Sequence, residues 1–283
     1  MNWLNAIVEC RSSNTSCVVV MVAGLTGSAP RAVGTRMVVT LDKVYGTIGG
    51  GALELEGISH ARALIDCSGA DGSHEHLVST REFNLGKELS QCCGGVVILQ
   101  FDCHFANDFV LHVFGAGHVG QEVARLALRL PCSAVIHDTR TEWLETVDTV
   151  IAGDNAPVGT VKTQHMDRNI HEYVEALAPS AYYFVMTHSH ELDLDIVEAV
   201  ISRADAVYCG LIASHSKAAK FRNRLKRKGF NDAEIQQLSA PLGQGVKTGN
   251  TPMEVAIAGI GDVLTVREQG LKGVLMSEGI VLA

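Results

Sequence analysis

Apolar positions in the second half of the chain predict alternating strands and helices. Residues 110–114 form an apolar run that stops at a glycine, and positions 119, 123, 126 and 130 then form a stripe at helical spacing. Pro131 ends this helix, and residues 134–137 form a second apolar strand. The further predicted elements are strands at 147–152, 182–187 and 206–212, and helices at 171–177, from 188 onward and at 214–229. This alternation is typical of a doubly wound parallel sheet.

The first half predicts a smaller α/β domain with shorter, β-branched strands. Its predicted elements are helices at residues 1–11 and 52–65, strands at 17–23, 36–41, 44–48, 76–83 (an edge strand) and 96–101, and a loop at 24–35. Periodicity lapses over residues 102–108, which are predicted to be a linker. Because 283 residues exceed the usual size of a single core, we expect two domains, at 1–104 and 109–283.

The last predicted helix begins at a capping box. Thr251 is placed as the N-cap, Pro252 as the first helical residue and Glu254 as the residue that completes the box. The apolar residues after it recur at spacings of four, three and four, which predicts that they pack on the sheet. These residues are Met253, Ile257, Ile260 and Leu264.

Residues 110–120, VLHVFGAGHVG, carry the main candidate chemistry. A strand followed by G-x-G-x-x-G and a helix is the pattern of a dinucleotide-type βαβ unit, in which N–H groups at a helix N-terminus receive a phosphate. Gly115 is expected to make the tight turn, Gly117 to allow close approach to a phosphate, and Gly120 to let the helix pack on the strand. The sequence therefore predicts a Rossmann-like C-terminal domain.

An acidic residue follows at the position where such folds bind a ribose. Asp138 lies 18 residues after Gly120, at the end of the second predicted strand. Arg140, two residues further on, could pair with a phosphate instead. The two residues leave open whether this half binds NAD(P).

Two loops of the first half are candidate anion sites. The loop at residues 24–35 is rich in glycine and hydroxyl groups and carries Arg31 as its single charge. Gly49, Gly50 and Gly51 lead directly into a predicted helix, whose N-terminus would expose N–H groups. A solvated loop and a tight strand-to-helix turn are the plainer interpretations.

Thiols and histidines supply the remaining candidates. Cys92 and Cys93 lie in the glycine-flanked sequence QCCGG, where a thiol could bind a soft metal centre or carry sulfur, although no C-x-x-C pattern accompanies them to form a zinc site. His188 and His190 have metal-ligand spacing but no obvious third ligand. The helix at 214–229 presents a cationic face that suits a phosphate-bearing ligand, an acidic partner or simply solvent.

Composition and charge exclude several classes of protein. The formal net charge is -8, which disfavours general binding to nucleic acid or to an anionic membrane. No apolar run reaches the roughly 20 residues that span a bilayer, and the N-terminus lacks the features of a signal peptide. We therefore expect a cytoplasmic protein.

The eight cysteines lack regular spacing, which indicates reduced thiols and not a disulfide framework. Six of them lie in or beside apolar segments and are predicted to behave as small core residues. These are Cys10, Cys17, Cys67, Cys103, Cys132 and Cys209.

Taken jointly, the motifs resemble the xanthine dehydrogenase accessory protein family of XdhC/CoxI type. The matching segments, in the family's order, are GSAPRAVGTRMVV (27–39), GTIGGGALELE (46–56), QCCGG (91–95), VFGAGHVG (113–120), THSHELDL (187–194), the basic helix and APLG (240–243). The resemblance covers both halves of the chain, and the combination is far more specific than any single motif.

The resemblance implies a chaperone of the molybdenum cofactor (molybdopterin), with an N-terminal XdhC/CoxI-like domain joined to a Rossmann domain. Such a protein is not itself an enzyme: it binds the pterin cofactor, assists its sulfuration with a cysteine desulfurase, and inserts it into apo-xanthine dehydrogenase. A homodimer is also expected. The phosphate, the polar pterin and the soft dithiolene-bound metal would suit a glycine loop, hydrogen-bonding loops and a thiol respectively.

Carried over residue by residue, the resemblance places Gly115, Gly117, His118 and Gly120 in the family's nucleotide-type loop. It places Arg31, Gly50 and Gly51 in the N-terminal loops, and Cys93, doubled by Cys92, at the family's cysteine before two glycines. On this hypothesis Cys93 contacts molybdenum or its sulfur ligand, in a cleft shared with the glycine loop.

An NAD(P)-dependent oxidoreductase is the alternative, supported by the glycine pattern and Asp138. Hydride transfer needs a proton donor facing the nicotinamide, and His190 is the candidate. A regulatory module that senses a nucleotide is a third class.

Overall fold

The computed structural model describes residues 2–27, 31–67, 77–85, 95–155, 157–166, 169–244 and 249–277. The chain divides into two compact units, Met1–Asn107 and Asp108–Ala283. No helix within these described ranges combines the length and the apolar character needed to span a bilayer.

The N-terminal unit is an antiparallel five-stranded sheet with helices on it. Its elements are α1 (Trp3–Ser12), β1 (Cys17–Thr26), β2 (Arg36–Val39), β3 (Val44–Gly46), α2 (Gly51–Cys67), β4 (Leu77–Asn84) and β5 (Val96–His104), with strand order β3-β2-β1-β5-β4. Side chains alternate between the two faces of β1: Val18 and Val20 pack toward the α2 side, whereas Cys17 and Val19 pack against α1. β4 lies at the sheet edge, as its sequence predicts.

The C-terminal unit is a six-stranded parallel sheet with helices on both faces. Its elements are β6 (Val110–Phe114), α3 (His118–Ala127), β7 (Ser133–Asp138), α4 (Thr141–Ala152), β8 (Thr160–His165), α5 (Ile170–Glu175), β9 (Tyr182–Val185), α6 (His190–Arg203), β10 (Tyr208–Leu211), α7 (His215–Arg227), α8 (Asp232–Gln236), β11 (Leu238–Ser239) and α9 (Pro252–Ser277).

Strand order places a crevice beside the glycine loop. The order β8-β7-β6-β9-β10-β11 corresponds to chain order 3-2-1-4-5-6, and every adjacent pair is parallel. The order therefore reverses between β6 and β9, where their carboxyl ends leave space for a ligand. The predicted Rossmann-like doubly wound fold, preceded by a smaller α/β unit, is confirmed.

Two separate cores cover the faces of the parallel sheet. Phe184 packs with α3, α4 and α9 on one face, and its neighbour Tyr183 packs with α5, α6 and α7 on the other. Both faces are buried, so the strands are almost continuously apolar, which is why the pattern detects β6, β9 and β10 from sequence.

Three element predictions are wrong. Residues 147–152, predicted as a strand, are the end of α4, because Leu144 and Val147 are buried at helical spacing on the sheet. The loop predicted at 24–35 begins too early, since β1 continues to Thr26 through an irregularity between Val22 and Gly24. The linker predicted at 102–108 also begins too early, because β5 remains paired up to His104.

The predicted helical spacing of the buried residues of α9 is correct, but the predicted buried face is wrong. Met253, Ile257 and Leu264 are 36%, 47% and 39% exposed, and of the predicted set Ile260 is buried. The residues that pack in the core shared with α3 are Ala256, Ile260 and Val263, at the same helical spacing. The capping box at Thr251 and Glu254 is confirmed by their reciprocal hydrogen bonds.

Candidate functional site

The glycine loop between β6 and α3 has two glycines fixed by packing and one that faces open space. A Cβ on Gly115 would lie 2.4 Å from the Met186 carbonyl oxygen, and Gly115 has a φ of +125°. A Cβ on Gly120 would lie 2.1 Å from the Gly115 carbonyl oxygen. A Cβ on Gly117 would meet nothing within 4 Å. The backbone at Gly117 is therefore open to close approach by a ligand.

Helix α3 starts without a side-chain cap. Gly117 is its N-cap residue, and among the side chains that the structure describes none caps the first turn. Those N–H groups lie at the positive end of the helix dipole and favour an anion. The loop thus has the local features of a phosphate site.

Asp138 holds the loop in place. Its carboxylate is buried; one oxygen accepts from the Ala116 N–H at 2.8 Å and from the Arg140 guanidinium at 2.9 Å. The other oxygen accepts from the Arg140 N–H at 3.0 Å and from Arg140 Nε at 2.9 Å. Burial opposes ionisation of Asp138, but these hydrogen bonds outweigh it and lower the pKa of the carboxyl. Asp138 therefore stays charged and has both oxygens occupied from within the chain.

Arg140 and His118 are linked through Trp143. The Arg140 guanidinium carbon lies 5.0 Å from the centre of the Trp143 ring, and the His118 ring meets Trp143 edge-on with centroids 5.4 Å apart. Arg140 is thus held by both a carboxylate and an aromatic face. His118 itself is exposed on the first turn of α3.

A crevice of about 650 Å³ opens at the carboxyl edge of the sheet beside the loop. Gly117, His118, Gly120 and His190 line it, so four of the predicted site residues come together. Gly115 turns the chain beneath them, whereas Asp138 and Arg140 are not among the lining residues. The further lining residues are Val119, Met186, Thr187, Asp193, Ile212, Ala213, Ser214, Lys217 and Pro252.

A buried ion pair lines one wall of this crevice. Asp193 is 1% exposed, and one of its oxygens accepts from the Thr187 N–H at 2.8 Å and from the Thr187 hydroxyl at 2.7 Å. Its other oxygen accepts from Lys217 Nζ at 2.9 Å, with His190 Nδ1 at 3.9 Å. Lys217 also donates to the Ile212 carbonyl. The pair fixes a cation beside the glycine loop.

Sequence reasoning missed Asp193 and assigned Lys217 only to a cationic helix face. Asp193 lies in the first turn of α6, next to Leu194 on the buried face. The sequence signal that could have found it is an acidic residue directly beside an apolar stripe. Its partner is 24 residues away, and no local pattern connects the two.

Four helix N-termini border the crevice, and three of them are capped by their own chain. Ser189 caps α6, Ser214 caps α7 and Thr251 caps α9, each accepting from a backbone N–H of the first turn. Of these four helices, α3 is the one without a side-chain cap. An external anion therefore finds its free N–H donors at α3.

A buried pair of histidines lies on the sheet face that Tyr173 of α5 covers. His112 Nδ1 and His137 Nε2 are 3.0 Å apart, and His137 Nδ1 is 2.8 Å from the Tyr173 hydroxyl. Burial and the charge of Arg203 lower the pKa of His112 to about 4, and burial with the neighbouring His112 lowers the pKa of His137 well below its usual value. Both rings are neutral at pH 7.

The triple-glycine loop before α2 is filled by its own carboxylate. Glu54 accepts from the N–H groups of Ile48 at 2.9 Å and Gly50 at 3.1 Å, and from the Thr47 hydroxyl. Burial opposes ionisation of Glu54, but these hydrogen bonds lower the pKa of its carboxyl. An external anion at Gly50 and Gly51 would have to displace Glu54.

The remaining predicted residues belong to the N-terminal unit. Arg31 is exposed on its loop in the N-terminal unit. Cys92 and Cys93 lie outside the described residues, so their contact with a metal or with the glycine loop stays a prediction. Within the described ranges no group of three His, Cys, Asp or Glu side chains is placed to hold a metal ion.

The five cysteines whose side chains are described are buried and free, as predicted. Burial raises the pKa of the Cys17, Cys132 and Cys209 thiols to about 12, and that of Cys103 to about 11. These thiols are protonated at neutral pH and are poor nucleophiles or metal ligands.

Strand order, the glycine loop and the crevice at the carboxyl edge of the sheet define the C-terminal unit as a Rossmann unit. The chain belongs to the XdhC family: residues 111–263 match the model of the XdhC Rossmann domain, and residues 10–76 match that of the XdhC and CoxI family. The predicted family is confirmed.

Individual proteins are also similar to the chain. The uncharacterized protein YqeB of Escherichia coli (strain K12) is 25% identical over 276 residues, which make up 98% of this chain and 48% of that protein. The chain thus spans about half the length of this relative. A crystal structure described as a xanthine dehydrogenase from Bacillus halodurans is similar with a TM-score of 0.46 and 15% identity, covering 95% of this chain and 96% of that chain.

Proposed function

We propose that this protein binds the molybdenum cofactor and delivers it to apo-xanthine dehydrogenase. Membership of the XdhC family supports a role in xanthine dehydrogenase maturation. The observation that carries the proposal is the crevice at the sheet edge, where the uncapped start of α3 and the Lys217 ammonium border one hollow of about 650 Å³.

The phosphate end of molybdopterin fits this part of the chain. N–H groups at the start of α3 supply directed donors, and Gly117 leaves room for an oxygen to reach the backbone. Lys217, held by Asp193, and the exposed His190 lie on the same wall and would supply further hydrogen-bond donors. These residues would hold and orient the cofactor by its phosphate.

The metal end is assigned to the QCCGG segment. When bound, the cofactor supplies a dithiolene-held molybdenum, a soft centre that thiolates bind well. The five described cysteines are buried and have raised pKa values, so they are poorly suited to this role. We therefore propose that Cys93, with Cys92 beside it, contacts the metal or its sulfur ligand.

The wider role follows from the same proposal. A carrier holds, shields and releases its cargo and needs no general acid or base of its own, so we propose an accessory protein and not an enzyme. The proposed partners are a cysteine desulfurase, which serves cofactor sulfuration, and apo-xanthine dehydrogenase, which receives the cofactor. We also propose that the protein is a homodimer. A cytoplasmic location is proposed with them.

The NAD(P)-dependent oxidoreductase remains the second candidate because His190 lines the crevice with 77% of its side chain exposed. The geometry of Asp138 counts against it. Both carboxylate oxygens already accept from Ala116 and Arg140, so a ribose diol would have to displace Arg140 to be recognised there. Cofactor specificity for NAD is therefore poorly supported.

Native mass spectrometry of the purified protein is the direct test. We expect a bound pterin and no dinucleotide of the nicotinamide type. We further expect Cys93→Ala to lose most of its ability to activate apo-xanthine dehydrogenase, while Cys103→Ala, which removes a buried thiol from the same unit, retains it. Protein that carries no pterin, with Cys93→Ala as active as the unmodified chain, would contradict the proposal.

A further inference from the structure

A groove of about 500 Å³ runs along helix α7. Residues of α7 and its N-cap line it, together with His190 at the start of α6. One lining residue, Phe221, is apolar and buried, and all the others are polar or charged. No acidic residue is among them. We call this surface the α7 groove.

Three cations of the α7 groove bind nothing within the chain. Lys220, Arg224 and Arg227 line the groove, and all three are exposed. Across the described part of the chain, none of their side chains makes an ion pair or a hydrogen bond. They follow one another at spacings of four and three residues, so they lie on one helix face and repel each other. The groove is therefore more stable when an anion neutralises this face.

The other lysines and arginines of residues 217–228 are each held by an acceptor of the chain. Lys226 and Lys228 pair with carboxylates and do not line the groove. Arg222 donates to two backbone carbonyls, and Lys217 pairs with Asp193. The free positive charge of this helix is thus collected in the α7 groove, in a chain whose formal net charge is -8.

The spacing of the free cations matches that of carboxylates on an extended segment. Lys220 and Arg224 are separated by about 6 Å along the helix axis, at a rise of 1.5 Å per residue. Side chains on one face of an extended chain recur every second residue, at about 6.6–6.8 Å. Two acidic residues at alternate positions would therefore reach Lys220 and Arg224 in turn. Arg227, about 4.5 Å further along the axis, could share the second carboxylate.

Acidic side chains on the other side of the arginines limit where such a segment can lie. Arg224 and Arg227 also border a second hollow, between α6 and α7, which Glu191 and Asp195 line. Among the described residues no ion pair joins these carboxylates to the arginines. An acidic segment in the second hollow would be repelled by Glu191 and Asp195, whereas the lining of the α7 groove opposes it with no carboxylate.

The α7 groove presents its positive charge as a row of separate side chains. The N-terminus of α7 is already capped, because the Ser214 hydroxyl accepts from the Lys217 N–H. Compact phosphate groups are typically bound by the free N–H groups of a helix start. A row of cations along a helix suits several carboxylates, carried one after another on a chain, better than it suits one compact anion.

We propose that the α7 groove is a docking surface for an acidic, extended segment of a partner protein. Exposed ion pairs contribute about 0.2–1 kcal/mol each, so three of them give weak, salt-sensitive binding. Such a patch accelerates the encounter and orients the partner more than it holds it. The groove shares His190, Ser214 and Lys217 with the crevice, so the partner docks beside the crevice. The proposal concerns the partner and does not depend on the ligand of the crevice.

Binding of a short acidic peptide tests this proposal. A fluorescently labelled octapeptide of alternating glutamate and serine is titrated with the full chain at low ionic strength, and fluorescence anisotropy reports binding. We expect this peptide to bind and its counterpart with glutamine in place of glutamate not to bind. The variant Lys220→Ala/Arg224→Ala should bind the glutamate peptide at least about tenfold more weakly, which corresponds to about 1.4 kcal/mol for the two lost ion pairs.

A charge-matched variant serves as the control. Lys162→Ala/Lys226→Ala also removes two exposed cations from this unit, but neither residue lines the α7 groove. It should bind the glutamate peptide within about twofold of the unmodified chain. Circular dichroism verifies that both variants are folded, which is expected because all four side chains are exposed.

Three results would overturn the proposal. The unmodified chain does not bind the glutamate peptide, or the two double variants bind it equally well. In the third, Lys220→Ala/Arg224→Ala loses its affinity for tripolyphosphate but not for the peptide, which would make the groove a phosphate site. The peptide contains neither phosphate nor pterin, so its failure to bind leaves the proposed function intact. Conversely, a chain that binds the peptide but carries no pterin would contradict the proposed function alone.

Discussion

The two glycine-rich loops of this chain look alike in sequence but differ in what occupies their N–H groups. The loop at Gly50 is closed by Glu54, a carboxylate from the first turn of its own helix. The loop at Gly117 opens a helix that has no side-chain cap, beside a crevice. Glycines before a helix therefore do not define an anion site by themselves; the presence or absence of an internal anion decides.

The largest effect is expected from the glycine that packing requires. Gly120→Ala places a Cβ 2.1 Å from the Gly115 carbonyl oxygen, so the loop or α3 must move. We expect the free energy of unfolding to fall by about 3 kcal/mol or more, measured by urea denaturation. An unchanged denaturation midpoint would show that the loop yields easily and that the contrast between the glycines is weaker than the geometry indicates.

Acidification should destabilise the two units at different pH values. Because His112 has a folded pKa of about 4 against 6.5 when unfolded, the unfolded chain takes up a proton between those values and the folded chain does not. Stability is therefore lost as pH falls from 6.5 toward 4, by about 2 kcal/mol between pH 7 and pH 5 from this residue alone.

The carboxyl of Glu54 acts in the same direction as His112 but at a lower pH. Its lowered pKa contributes stability that is present above the ordinary pKa of 4.5 and is lost only as pH falls below it. Hydrogen exchange at pH 5 should thus show loss of protection in β6 and β7 before α2 is affected. Simultaneous loss in both units would contradict this order, and His112→Phe should remove much of the effect in the C-terminal unit.

A change of function without a change of stability is expected at the open glycine. Gly117→Ala adds a methyl group that meets nothing in the chain, so the free energy of unfolding should stay within about 0.5 kcal/mol. The same methyl would occupy the space of a phosphate oxygen, and we expect binding of inorganic phosphate to weaken about tenfold. Unaltered phosphate affinity, measured by calorimetry, would remove this loop from the site.

The smallest effect is expected from removing the carboxylate that fills the loop at Gly50. Glu54→Ala removes the internal anion from Ile48 and Gly50 and should lower stability by about 1 kcal/mol. Added sulfate should restore part of the loss, because it can take the place of the carboxylate at the same N–H groups. If sulfate stabilises this variant no more than the unmodified chain, the two loops differ by more than their internal anions.

The parts of the fold that sequence predicts are those with local signals. The strand, the glycines and the stripe of α3 lie within one short segment, so β6, α3 and the loop follow from spacing alone. Residues 147–152 mislead because their β-branched side chains favour a strand, whereas packing of Leu144 and Val147 on the sheet favours a helix. For α9 the period is local but the buried face is chosen by α3, which is distant in sequence.

The residues of the candidate site also divide into those that local motifs predict and those that they do not. Gly117 and His190 are predicted from motifs and are brought to one crevice. The pairing of Asp193 with Lys217 joins two helices, and the occupation of the Gly50 N–H by Glu54 depends on a side-chain rotamer. Neither contact leaves a periodic trace in the sequence. Asp138 lies at the predicted place, but its oxygens are used to hold the chain and Arg140.

The hydrogen bond from the Ala116 N–H to the Asp138 carboxylate affects the rate at which a ligand binds. A loop already fixed by a buried carboxylate has little conformational freedom left to lose when a ligand arrives. Encounter then requires no rearrangement of the receptor backbone, and the association rate should be set by diffusion and electrostatic attraction.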